Sequence, residues 1–170
     1  MEEDRLKLVI GPGKTGKGDK AVDLYPYEGV TDVLDIAVEP LPYDDQTFDE
    51  VEASHVLEHL ETVIHWREDG KWRRRFPRVE IMREIYRVLK PGGIAVISVP
   101  TGYPNYAQDP THADVPWTHA TFGYFSNQWG GGNQGNEACL SSGIDFGFRM
   151  IRSEYYPEGD ERNLTVWLKK

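Results

Sequence analysis

Cysteine is almost missing from this chain: Cys139 is the single one in 170 residues. No intrachain disulfide can form, and a four-thiolate zinc site is excluded. Positive charge is scarce too. Nineteen Lys and Arg stand against 28 Asp and Glu, a formal charge of −9. A nucleic-acid backbone is therefore a poor default partner. The exception is Lys71-Trp72-Arg73-Arg74-Arg75-Phe76-Pro77-Arg78, read as the solvated start of a helix rather than an anion site. Long apolar runs are absent. The longest, Ile94–Val99, is far below the roughly 20 residues of a membrane span. The opening Met1-Glu2-Glu3-Asp4 is acidic and leads into no signal-peptide core. These absences point to a cytoplasmic protein with no membrane contact. No repeat or low-complexity segment occurs, and the length suits one domain, 1–170, with a core of its own.

What is present is an alternation of short strands and loops. Leu6–Ile10, Asp19–Leu24 and Val33–Ile36 read as strands, as does Phe48–His55, whose alternation leaves one wet face. Val56–Leu60 opens a helix. Residues 61–90 carry further helix signals, with Val79, Met82, Ile85, Tyr86 and Leu89 at helical spacing. Pro91-Gly92-Gly93 stops that helix, and Ile94–Val99 is a buried strand by its continuous apolar character. Residues 103–145 are rich in Gly, Asn, His and aromatics, as befits an insertion or lid. Phe146–Tyr155 and Asn163–Leu168 read as two closing strands.

Gly11-Pro12-Gly13-Lys14-Thr15-Gly16-Lys17-Gly18 partly matches a phosphate loop. The hydroxyl residue that such a loop offers to Mg²⁺ is replaced by Gly18, and a strand follows where a helix must begin. The motif lacks its structural context, so a nucleoside-triphosphate site is disfavoured.

Two later stretches carry a more specific signal. Pro40-Leu41-Pro42-Tyr43-Asp44-Asp45-Gln46-Thr47-Phe48-Asp49-Glu50-Val51 runs on to Val56-Leu57-Glu58-His59-Leu60. Tyr86-Arg87-Val88-Leu89-Lys90-Pro91-Gly92-Gly93 is the second. Together they resemble the class I S-adenosylmethionine-dependent methyltransferases, in particular the type-11-like group, in a shortened form. The resemblance covers residues 6–102. It implies an α/β Rossmann-like fold: a mostly parallel sheet with an antiparallel C-terminal hairpin. The cofactor it implies is S-adenosylmethionine, held by Gly11, Pro12, Gly13, Asp23, Leu24, Asp35, Ile36, Ser54 and His55. Asp23 takes the ribose hydroxyls, since a carboxylate has two acceptor oxygens for two donors, and Asp35 takes the adenine amino group. Asp23 follows Gly13 by only ten residues, about half the usual separation. That leaves no room for the intervening helix, so helices should be missing on one sheet face.

Methyl transfer from a sulfonium is an in-line displacement, and a base helps only where the acceptor loses a proton. His55, His59 and His112 are the catalytic candidates; His59 also reads as a packing residue at a helix entry. Asp109-Pro110-Thr111-His112 resembles a string near the acceptor pocket of type-11-like relatives. His112, Trp117 and His119 are the candidate substrate residues. The spacing of His112, Asp114 and His119 is weak as a ligand set, and no metal is expected. The acceptor is read as a small molecule or saccharide. A binding module without catalysis is the rival, because the bracing helices are absent. Arg5, Lys7, Glu50 and Glu52 should share a wet, uncovered sheet face; were that face apolar, it would suit a homodimer.

Overall fold

The computed structural model describes residues 5–14, 17–101, 106, 109–113, 115–126, 140–158 and 161–170. Seven strands form one sheet: β1 (Lys7–Ile10), β2 (Lys20–Asp23), β3 (Asp32–Val33), β4 (Phe48–Ser54), β7 (Leu89–Pro100), β8 (Arg149–Glu158) and β9 (Glu161–Lys169). A separate hairpin joins β5 (Ile64–Glu68) to β6 (Lys71–Arg75), and two helices, α1 (Pro77–Val88) and α2 (His119–Tyr124), complete the elements used here. The sheet order is β3-β2-β1-β4-β7-β9-β8. The first five strands are parallel, and β9 runs antiparallel to both β7 and β8. This is the expected Rossmann-like arrangement with its antiparallel end.

Side-chain alternation assigns the two faces. Leu8 and Ile10 of β1, Val51 and Ala53 of β4, and Ala95, Ile97 and Val99 of β7 all point inward. They pack with Ile81, Met82, Ile85 and Val88 of α1, residues at helical spacing on one stripe. Pro77 opens α1 at a position where its missing N–H costs nothing. On the other face Lys7 pairs with both Glu50, at 3.1 Å, and Glu52. The wet face is therefore real, and no helix among the described residues covers it.

The β1–β2 connection shows how a parallel crossover is made without a helix there. The Gly11 N–H donates to the Val22 carbonyl at 2.8 Å, and the Asp19 N–H to the Lys7 carbonyl at 2.9 Å. The return leg lies against Val9, so tightly that a Cβ on Gly18 would sit 2.7 Å from a Val9 methyl. Val9 is buried although it faces the open side.

Two expectations need correction. Residues 61–76 are not helical: Asp69 and Gly70, at φ 48° and 76°, turn β5 back onto β6. The cationic run 71–78 is thus an exposed strand followed by the first turn of α1. Val56–Leu60 is only a single 3₁₀ turn at Leu57–His59. The lid expected over 103–145 falls partly outside the described residues, which leave out 127–139 among others. Its described portion includes Trp117, Phe122 and Phe125, which belong to the main core.

Candidate functional site

Parallel strands deliver their carboxyl ends to one edge, and ligands bind there in open α/β sheets. A cleft of about 630 Å³ opens at that edge, within the range of small-ligand and cofactor sites. Gly11, Gly13, Asp23, Leu24, Asp35, Ile36 and His55 line it, so most of the expected cofactor residues converge. Tyr25, Tyr27, Val56, Leu60 and Thr111 also line it and were not anticipated. Pro12 is buried beside the cleft. Ser54 does not line it: strand alternation puts Ser54 on the open face with Glu50 and Glu52.

Each oxygen of Asp23 accepts one backbone N–H, from Gly13 and from Tyr25, both at 3.0 Å. A carboxylate has about four acceptor positions, so capacity remains on both oxygens for a diol. Gly13, at φ 55°, has open space where a Cβ would stand. At Asp35 one oxygen accepts from the Ala37 N–H at 2.9 Å, which fixes the turn that carries Ile36. Two acids at the ends of neighbouring strands, a glycine cradle and an apolar floor fit a nucleoside.

Beyond β4 the chain turns sharply. His55 has φ 52°, in the left-handed region that residues other than glycine seldom adopt and that His tolerates better than most. Its N–H donates to the Ser98 carbonyl at 2.9 Å, which holds the turn against β7. The 3₁₀ turn then places Glu58 inside and His59 outside. One ring nitrogen of His55 lies 3.6 Å from Glu58 Oε1. Glu58 is 1 % exposed, and its Oε2 has no hydrogen-bond partner. Burial pushes its carboxyl up from the ordinary range, opposed by His59, His55 and His112.

His112 comes from the segment after β7 and packs against His59, ring centroids 5.1 Å apart. The expected trio His55, His59 and His112 thus meets around Glu58, which the sequence did not single out. Trp117 is a correction. It is fully buried, stacks on Phe122 and donates its indole N–H to the Leu57 carbonyl at 2.9 Å, so it holds the 3₁₀ turn from below rather than lining a pocket. His119 opens α2 and does not line the cleft; Asp114 lies outside the described residues.

Residues 17–97 match the methyltransferase-domain family. Curated protein sequences give no match. Among solved structures, a SAM-dependent methyltransferase from Archaeoglobus fulgidus is similar with a TM-score of 0.63 at 18% identity, covering 98% of this chain and 86% of that one. The N-methyltransferase NodS from Bradyrhizobium japonicum, in complex with S-adenosylhomocysteine, gives 0.55 at 13%, covering 96% and 76%. The [4+2]-cyclase SpnF gives 0.56 at 14%, covering 99% and 76%, so the fold by itself does not fix the reaction. Both sequence signatures lie inside the matched region, and the chain shares the fold of these class I methyltransferases.

Proposed function

We propose that this enzyme binds S-adenosylmethionine in the cleft and passes its methyl group to a small-molecule or saccharide acceptor. One observation carries the reading: Asp23 and Asp35, at the ends of neighbouring strands, face one cleft together with Gly11 and Gly13. Asp23 takes the ribose hydroxyls and Asp35 the adenine amino group. Leu24 and Ile36 lie against the base, and the glycines allow close backbone approach. The cofactor supplies a methyl group already activated by positive sulfur. The chain's own residues bind, orient and exclude water. His55 and His59 flank the remaining end of the cleft, where a group that holds or releases a proton serves an acceptor. The formal charge of −9 favours a neutral or cationic acceptor over nucleic acid.

Calorimetry with S-adenosylhomocysteine tests this. Asp23→Ala leaves the ribose hydroxyls without their acceptor, and hydrogen bonds to charged groups contribute about 1.5–3 kcal/mol. Affinity should fall by roughly ten- to more than a hundredfold. A folded variant with unchanged affinity would refute the assignment. Binding with no turnover on any acceptor would mark a cofactor-binding module instead.

A further inference from the structure

The cluster beyond the cleft has the chemistry of a metal site. The ligand atoms of Glu58, His59 and His112 lie within 4.8 Å of one another. Around a tetrahedral ion with bonds of about 2.0–2.2 Å the ligand atoms stand about 3.3–3.6 Å apart, so closure onto an ion needs each side chain to move inward by up to about an ångström. The second observation is independent of this clustering: Glu58 is 1 % exposed and its Oε2 is unpartnered. A buried carboxylate oxygen without a partner is costly, and a bound cation would repay that cost.

The histidines are oriented for it. His59 Nδ1 lies 3.0 Å from the Thr111 carbonyl, and His112 Nδ1 lies 3.1 Å from the Tyr106 carbonyl. A carbonyl oxygen only accepts, so both Nδ1 atoms carry the proton. In the neutral ring that leaves Nε2 as the atom that offers a lone pair. Metal-bound histidines are held in this way by their outer neighbours. Asp109 Oδ2 stands 3.6 Å from His112 Nε2, beside the cluster. His59 also lines the cleft, so the cluster opens toward the proposed cofactor.

We propose that Glu58, His59 and His112 bind a divalent transition-metal ion whose open positions take the acceptor's hydroxyl oxygen. Two imidazoles and one carboxylate suit Zn²⁺, Mn²⁺, Co²⁺ or Fe²⁺ and leave positions free. The acceptor role rests on the methyl-transfer reading above. A metal-bound hydroxyl loses its proton more readily. The proton passes to water, and the oxygen's electron pair forms the O–CH₃ bond. The S–CH₃ pair returns to sulfur, leaving S-adenosylhomocysteine, and nothing is oxidised.

The test uses the full chain, stripped with chelator and titrated with Co²⁺, followed by calorimetry and visible absorption. One Co²⁺ per chain is expected, displaced by Zn²⁺. His112→Ala and Glu58→Gln should each weaken binding by more than about 100-fold, beyond what outer-shell changes give. His65→Ala, on the exposed hairpin, should leave it unchanged. Circular dichroism confirms that each variant folds; His112→Ala alters a loop residue and does not depend on the buried Glu58. Absence of Co²⁺ binding, or equal binding by wild type and both ligand variants, overturns the site. S-adenosylhomocysteine binding to the stripped protein tests the cofactor reading alone. Nucleoside bound without Co²⁺ overturns the metal proposal and spares that reading. Co²⁺ bound without the nucleoside overturns the link to methyl transfer.

Discussion

At the scale of single residues, the strand end that presents Asp35 depends on Tyr43. The Tyr43 hydroxyl donates to Asp32 Oδ2 at 2.7 Å, and the Thr31 hydroxyl donates to the same oxygen at 2.8 Å. These two bonds, Tyr43 first, hold the Asp32 carboxyl below the usual range. Burial first, then Asp32, push the Tyr43 phenol up to about 12. The signs follow from linkage. The lowered Asp32 contributes stability above the ordinary carboxylate pKa and loses it as pH falls through its folded value. The raised Tyr43 contributes stability below about 10 and loses it as pH climbs toward about 12. Tyr43→Phe should therefore cost about 1 kcal/mol or less at pH 7, since Asp32 sits near solvent. That gap should begin to narrow as pH falls below the ordinary carboxylate value. Urea midpoints near pH 3 and pH 7 would measure it, and a gap equal at both would contradict this account.

At the scale of elements, α1 ties the two arms of the site together through Arg78. This guanidinium is buried, donates to the carbonyls of Leu60 and Val115, and lies over the Trp117 ring. Leu60 follows the turn that carries Glu58 and His59, and Val115 follows the segment that carries His112. Arg78→Met leaves both carbonyls without this donor at a cost of about 2–4 kcal/mol. The melting temperature should drop by roughly 5–15 °C, and S-adenosylhomocysteine affinity should fall with it. A thermal melt together with calorimetry would check both, and an unshifted melt would remove Arg78 from this role.

The same region shows why part of the structure was hidden in the sequence. Asp69-Gly70 is a strong hairpin turn, yet β5 and β6 bury almost nothing. Without a buried face there is no period-two apolar pattern to read. Cross-strand pairs such as Arg73 with Glu68, at 3.2 Å, join them instead, and those residue types equally favour helix. The strands of the main sheet were legible because each has an inward row. Asp23 and Asp35 were legible because each marks a strand end. Glu58 was not, since its isolation from water requires segments near residue 112 and Trp117 to fold over it.

At the scale of the whole molecule, the uncovered sheet face decides association. Lys7 pairs with Glu50 and Glu52, and Arg152 lies over Trp167 at 4.5 Å. Between these charges Ile94, Val96 and Trp167 are only half-buried. Docking a second copy here would strip water from the charged groups, which their mutual attraction repays poorly. The 170-residue chain should therefore sediment at its monomer mass of 19.4 kDa at micromolar concentration. Replacing Lys7, Glu50 and Glu52 together by Leu should join their positions to Ile94 and Val96 in one apolar patch. Such patches drive association, so the triple variant should dimerise or aggregate while wild type does not. A wild-type dimer that the triple substitution leaves at the same affinity would show that charge on this face does not set the oligomeric state.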